Sequence, residues 1–245
     1  MKAKLPKRFR DLEPKVLDHW SYSAYSQLNR CALAFYWRYI MGAKEEIKEV
    51  PPAMQRGIDL HKAQEAYLKR ETNKIPYALR HFEAHLKQVR KLKPEVEQWW
   101  GVDKRWRPVK WKSWLVAKLD FTLLPTKKND YTLFAQDLKT GREYDDHDMQ
   151  GDVYAALGVA IYPKTKWVET EFWYPDLGYS TQIRRPASYY VKRQEFWRKQ
   201  GQKVCAPHPA SHYVPSPSFQ NCKWCFLRTD RGGMCNAYKS LGRNI

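Results

Sequence analysis

The stretch LFAQDLKTGREY, residues 133–144, sets a carboxylate and an ammonium two residues apart at the end of an apolar run, then breaks it with Thr140-Gly141. Strand alternation has a period of two, so Asp137 and Lys139 share one face and Leu138 points to the other. Charges on a largely buried strand are costly unless they are paired or used. Upstream, SWLVAKLDFTLLP also reads as a strand and carries Asp120, and the KKND between them reads as a turn. Strands joined there bring Asp120 beside Asp137. Adjacent carboxylates repel, and a hard divalent cation relieves the repulsion by taking oxygens from both. Lys139, one pleat away, can then hold or activate a water or stabilise charge on a phosphate. The set suits phosphodiester hydrolysis, although a single D-x-K also fits a surface hairpin with solvated charges.

The flanking segments narrow the choice. Residues 146–161 return to helical spacing after the second strand, and Gln150 and Tyr154, four apart, fall on one helix face. In QRGIDLHKAQEAYLKR, a helical pattern, His61 follows Gly57 by one turn. A neutral imidazole can ligate a metal, but a lone helical histidine is more often structural. Glu65, one turn further, reads as an exposed helix charge. A helix starts near Ser21 or Ser23, with Leu28, Cys31, Phe35 and Ile40 as its stripe, and another carries Leu79, Phe82, Leu86, Val89 and Leu92 up to Pro94. KWVETEFWYP and GYSTQIRR form a second hairpin, and Pro186 opens a helix to about Gln200. The expected fold is α/β, a mixed central sheet flanked by helices with a Cys-rich C-terminal tail. Its parts are a basic, poorly ordered lead-in (1–18), a main domain (19–200) and a Cys-rich segment (201–245) closing onto the first helix.

The formal net charge of +18 points to a polyanionic partner, nucleic acid ahead of a membrane surface. The sequence has no apolar run long enough to span a bilayer, and the N-terminus lacks the apolar core of a secretory signal. WWGVDKRWRPVKWKSW (99–114) and YYVKRQEFWRK (189–199) interleave aromatics with cations. Cations hold phosphates and aromatic faces stack on unpaired bases. Lys110, Lys112, Arg142, Lys192 and Arg193 are the candidate DNA contacts, while some of the tryptophans belong to the core.

In order, Gly57-x-x-x-His61, Asp120, Asp137-x-Lys139 followed by Thr-Gly, and Gln150-x-x-x-Tyr154 resemble the motifs of the RecB-like branch of the PD-(D/E)XK nucleases. Ser21 through Cys31 resembles the opening of such domains, so the likeness spans about residues 20–235. It implies a restriction-endonuclease-like core in which His61, Asp120, Asp137 and the Leu138 carbonyl bind Mg²⁺ or Mn²⁺. Lys139 would activate the water, and Gln150 and Tyr154 would orient Lys139 and the DNA. A nitrogen ligand among oxygens favours Mn²⁺.

Five cysteines are present, an odd number that argues against a disulfide framework. Cys222, Cys225 and Cys235 form C-x2-C-x9-C, a metal-knuckle pattern lacking a fourth ligand. Cys31 is the candidate fourth. The resemblance, to the CRISPR-adaptation and helicase-linked AddB-type enzymes, implies a [4Fe–4S] cluster on these four thiolates. Zn²⁺ on the same thiolates, or His208 or His212 in place of a cysteine, are the alternatives. Cys205 is left as a free thiol. Thiolate-held metals imply a reducing, cytoplasmic setting.

The resulting expectation is a divalent-metal-dependent DNA exonuclease acting on single strands or DNA ends, alone, as a homo-oligomer or with a helicase or recombination partner. A non-catalytic nucleic-acid-binding module with a structural metal, and an endonuclease of the same fold, are the competing readings.

Overall fold

The computed structural model describes residues 6–44, 50–141, 143–144 and 146–242. The chain divides into two compact units, Glu49–Lys199 and Met1–Lys48 with Gln200–Ile245.

The first unit is built on a five-stranded sheet in sequence order: β1 (Glu95–Val102), β2 (Leu115–Leu123), β3 (Thr132–Leu138), β4 (Trp167–Tyr174) and β5 (Tyr179–Pro186). β1–β2, β2–β3 and β4–β5 are antiparallel, and β3–β4 is parallel, so the sheet is mixed as expected. The parallel step needs a crossover, which the helix Asp146–Ile161 provides. A 3-10 turn at Lys127–Asn129, capped by Thr126 and Asn129, links the antiparallel β2 and β3.

β3 is buried at six successive positions because both faces are covered. On one face pack a helix at Pro52–Leu68 and another at Glu83–Lys91, the latter entered through a 3-10 turn at Tyr77–Phe82. Leu60, Tyr67, Leu79, Phe82, Leu86, Phe121, Phe134, Leu138 and Trp173 form the core there. The crossover helix covers the other face and is buried from Val153 to Val159. Its close approach depends on Gly158, where a Cβ would lie 2.2 Å from Leu133 Cδ2 and 3.2 Å from Trp100 Cζ3.

β1 departs from the sequence expectation, which read residues 99–114 only as a basic–aromatic stretch. Trp100 and Trp114 are core residues, 4% and 3% exposed, whereas Trp99 and Trp111 face solvent. Glu97 within β1 has positive φ, as do Trp106 and Lys112 in the segment that leads to β2.

In the second unit a short helix, α1 (Lys7–Arg10), buries Phe9 against Trp37 at 5.2 Å, so the expected lead-in is anchored at Phe9, with residues 1–5 outside the described residues. α2 (Tyr22–Arg30) is capped by Ser21, whose hydroxyl accepts from the Ala24 amide. The single stripe expected through Ile40 is interrupted: Cys31 is extended, and α3 (Ala32–Phe35) and a π-helical turn at Tyr36–Ile40 follow. Asn221 Nδ2 donates to the Arg30 carbonyl at 2.7 Å, and the Leu33 amide donates to Val214 at 3.2 Å. In order after α3, the longer helices of the chain are α4 (Pro52–Leu68), α5 (Glu83–Lys91), α6 (Asp146–Ile161) and α7 (Ala187–Cys205). Among the described residues no helix is long and apolar enough to cross a membrane.

Gly158→Val should lower unfolding stability by about 2 kcal/mol, since overpacking outweighs the small gain in helix propensity. Urea denaturation followed by circular dichroism measures it.

Candidate active site

The β2–β3 register pairs Phe121 with Gln136, and one residue further it sets Asp120 opposite Asp137. The two carboxylates are held from different sides. Asp120 Oδ2 accepts from the Leu138 amide at 2.7 Å, and Oδ1 lies 3.0 Å from His61 Nδ1. Asp137 Oδ1 accepts from the Tyr154 hydroxyl at 2.9 Å, and Oδ2 is 2.5 Å from Lys139 Nζ. Lys139 Nζ also donates to Gln150 Oε1 at 2.8 Å, and the Gln150 amide donates to the Tyr154 hydroxyl. α6 therefore presents Gln150 and Tyr154, one turn apart, to the D-x-K strand, and α4 presents His61. Asp137 is buried, whereas Lys139 and His61 are 21% and 36% exposed, so the constellation meets solvent on their side.

Two contacts set where α4 lies over the end of β3. A Cβ at Gly57 would sit 3.0 Å from Thr140 Oγ1, so glycine lets the helix approach the turn after Lys139. Asp176, in the β4–β5 turn, accepts from Arg56 Nη1 and from the Gly141 amide, each at 2.7 Å. Gly141 has φ +95°, a conformation suited to glycine. The Arg56 guanidinium holds the Asp176 carboxyl below its ordinary value, helped by the Gly141 amide.

Burial pushes the Asp120 pKa up and the Asp137 charge adds to it, outweighing the opposing pull of His61 and the Leu138 amide. Burial alone would depress His61, but the hydrogen bond and charge of Asp120, joined by Asp137, raise it overall. Burial and the Asp137 carboxylate drive Tyr154 well up, so its hydroxyl stays protonated and donates. Glu65 pairs with Lys69 at 2.5 Å along the helix.

These residues fit a hard divalent cation by their donors: two converging carboxylates and an imidazole, with Asp120 raised by burial and then by the Asp137 charge, which a cation would offset. Among the described residues no three His, Cys, Asp or Glu side chains stand in a ready-made metal cage.

In the second unit Cys31, Cys222, Cys225 and Cys235 line one pocket with Arg228 and Tyr238. Burial pushes the Cys225 thiol to about 11, with further upward contributions from Cys31, Cys235 and Cys222. Burial also raises Cys235. His208 and His212 stack on each other at 4.1 Å and are not among the residues lining that pocket.

The candidate DNA contacts are placed unevenly. Lys110, Lys112 and Lys192 are exposed. Arg193 donates to Asp152 at 2.8 Å and lies 4.0 Å over Phe196, so it is engaged within the fold. Arg142 lies outside the described residues. Sequence reasoning missed Arg56, Gln64 and Gln136, and also His147, whose Nδ1 lies 2.8 Å from the Tyr174 hydroxyl. Two signals were present: Gln136 interrupts the apolar run of β3, and Gln64 follows His61 by three residues on α4.

A strand-borne D-x-K, a second acid on the neighbouring strand and a helix returning Gln and Tyr are thus brought together on a mixed sheet. The model of the PD-(D/E)XK nuclease superfamily matches residues 19–229, and the chain belongs to that superfamily. No curated protein sequence matches it. Among solved structures, SSO0001 is 15% identical, covering 92% of this chain and 89% of that one, with a TM-score of 0.46. A candidate exonuclease from Eubacterium rectale is 10% identical, covering 93% and 89%, with a TM-score of 0.44.

In EDTA, Asp120→Asn should melt above wild type at neutral pH. The folded-state pKa of Asp120 is raised, so its favourable contribution is complete below the ordinary value of 3.8 and is lost as pH rises through the raised value. His61 acts in the same sense, because its raised pKa gives stability that is complete below the ordinary 6.5 and is lost as pH rises through the raised value. The gap should therefore narrow from pH 7 toward pH 4, as read by thermal melts.

Proposed function

We propose that the protein is a divalent-metal-dependent deoxyribonuclease that works as an exonuclease on single-stranded DNA or DNA ends. The observation that carries this reading is the Asp120–Asp137 pair, flanked by His61 and by a Lys139 held between Asp137 and Gln150. A binding module needs no paired carboxylates beside the site of a phosphate, which would repel its ligand.

His61, Asp120, Asp137 and the Leu138 carbonyl would hold Mg²⁺ or Mn²⁺. When bound, the ion supplies Lewis-acid stabilisation of the phosphate and lowers the pKa of a water. Lys139, steered by Gln150, places its ammonium where it can orient that water or balance charge on the phosphoryl oxygens. Tyr154, kept protonated, fixes one Asp137 oxygen and leaves the other to face Lys139. Lys110, Lys112 and Lys192, all exposed, are the described cations best suited to phosphates, with Arg142 as a further candidate. The exposed Trp111, between Lys110 and Lys112 in the chain, and the exposed Trp99 favour unpaired bases.

The four cysteines are the proposed ligands of a [4Fe–4S] cluster, with Zn²⁺ as the alternative. Their common pocket and the mutual upward pressure on the Cys225 thiol support this, since a bound metal would stabilise the thiolates. Iron analysis should give about 4 atoms per chain, and one zinc instead would select the alternative. Cys225→Ser should lose the metal, and a full-length protein with neither metal would remove the cluster from the account.

Cleavage of end-labelled oligonucleotides should require Mg²⁺ or Mn²⁺ and stop in EDTA. Asp137→Ala and Lys139→Ala should each lower the rate by at least about 10²-fold without unfolding the protein. Closed circular single strands should resist; their cutting would mark an endonuclease. Tight DNA binding with no turnover in either metal would favour the binding module.

A further inference from the structure

The face of β3 opposite Asp137 carries an unusual expense. Gln136 is fully buried, Gln64 on α4 is 2% exposed and Glu171 on β4 is 5% exposed, within an otherwise apolar core that includes Leu60, Phe134 and Trp173. Gln64 Nε2 donates to Gln136 Oε1 at 3.1 Å. Gln136 pairs in register with Glu171, whose Oε1 accepts from Ser180 at 2.6 Å. Gln136 Nε2 and Glu171 Oε2, a buried donor and a buried acceptor on register-paired residues, make no hydrogen bond among the described residues, although His85 Nδ1 lies 3.9 Å from Glu171 Oε2. Apolar side chains would fill this volume at lower cost, so stability alone does not explain the amides.

Their positions suggest another use. Gln64 lies three residues after His61 on α4, and Gln136 immediately precedes Asp137 on β3. The rest of the α4 contact in this core is Leu60, Tyr67 and Leu68, and apolar packing is non-directional. A buried amide–amide bond is directional, and it fails if the helix slides or rotates by a fraction of an ångström.

We infer that Gln64 and Gln136 are positioning residues: their bond latches α4 to β3 and so fixes His61 against Asp120 and Asp137. This rests on the proposed reading of those three residues as ligands of a divalent cation. The latch acts through the height of the helix, touching neither metal nor substrate. Its loss should weaken metal capture while leaving turnover intact once metal saturates.

The test compares wild type, Gln64→Met, Gln136→Met and the double variant, using the full-length protein. Methionine matches glutamine in shape and removes the polarity. Single variants strand one buried amide, whereas the double variant removes both and should recover most of the lost thermal stability. Two readouts are taken: the Mn²⁺ concentration for half-maximal cleavage, and the Mn²⁺-induced rise in melting temperature without DNA. With the latch, the double variant stays defective, needing about tenfold more Mn²⁺ or higher, with a reduced melting shift and near-normal maximal rate. A purely structural role predicts that the double variant, once stable, regains wild-type values in both readouts, and that result overturns the latch. If the wild type neither cleaves DNA nor responds to Mn²⁺, the reading of the site fails first and the latch falls with it.

Discussion

Two carboxylates held side by side on neighbouring strands are the constraint on which the rest of this structure turns. Like charges about 4 Å apart repel by about 4 kcal/mol at an effective dielectric near 20. A chain of marginal stability tolerates this only where compensating charge and hydrogen bonds converge. Here a strand amide and an imidazole serve Asp120, and a phenol and an ammonium serve Asp137. The four groups come from three elements, so the repulsion at one point of the sheet dictates what α4, α6 and the end of β3 must deliver.

The sheet order makes that delivery possible. Because β3 is antiparallel to β2 and parallel to β4, a crossover must leave the end of β3 that bears Lys139 and return over one face. α6 is that crossover, and its first three turns place Gln150 and Tyr154 above the pair. α4 reaches the pair from the other element layer, brought close by Gly57 against Thr140 and tied by Arg56 through Asp176 to Gly141. The polar bond between Gln64 and Gln136 belongs to the same architecture, beneath the site.

Much of this was legible in the sequence because it is local. Strand alternation put Asp137 and Lys139 on one face, helical spacing put Gln150 and Tyr154 on another, and a turn signal near Lys128 implied the antiparallel pairing that faces Asp120 with Asp137. What was not legible depends on partners distant in sequence. β1 was obscured by the basic–aromatic composition of 99–114, and which of its tryptophans are core, Trp100 and Trp114, is decided by partners on other elements. Arg193 looked like a phosphate contact because nothing in its neighbourhood shows that Asp152, on another helix, holds it. The bend at Cys31 was hidden within a plausible apolar stripe. Gln136 was visible as a polar interruption, but its partner Gln64 lies 72 residues away.

The most direct test of the central claim is uptake of Mn²⁺ by the protein without nucleic acid, followed by electron paramagnetic resonance in wild type and in Asp120→Asn. If the paired carboxylates exist to hold a cation, free Mn²⁺ signal should disappear on titration into folded wild type and persist in the variant. Wild type that leaves the free signal unchanged, or a variant that binds equally well, would contradict the account.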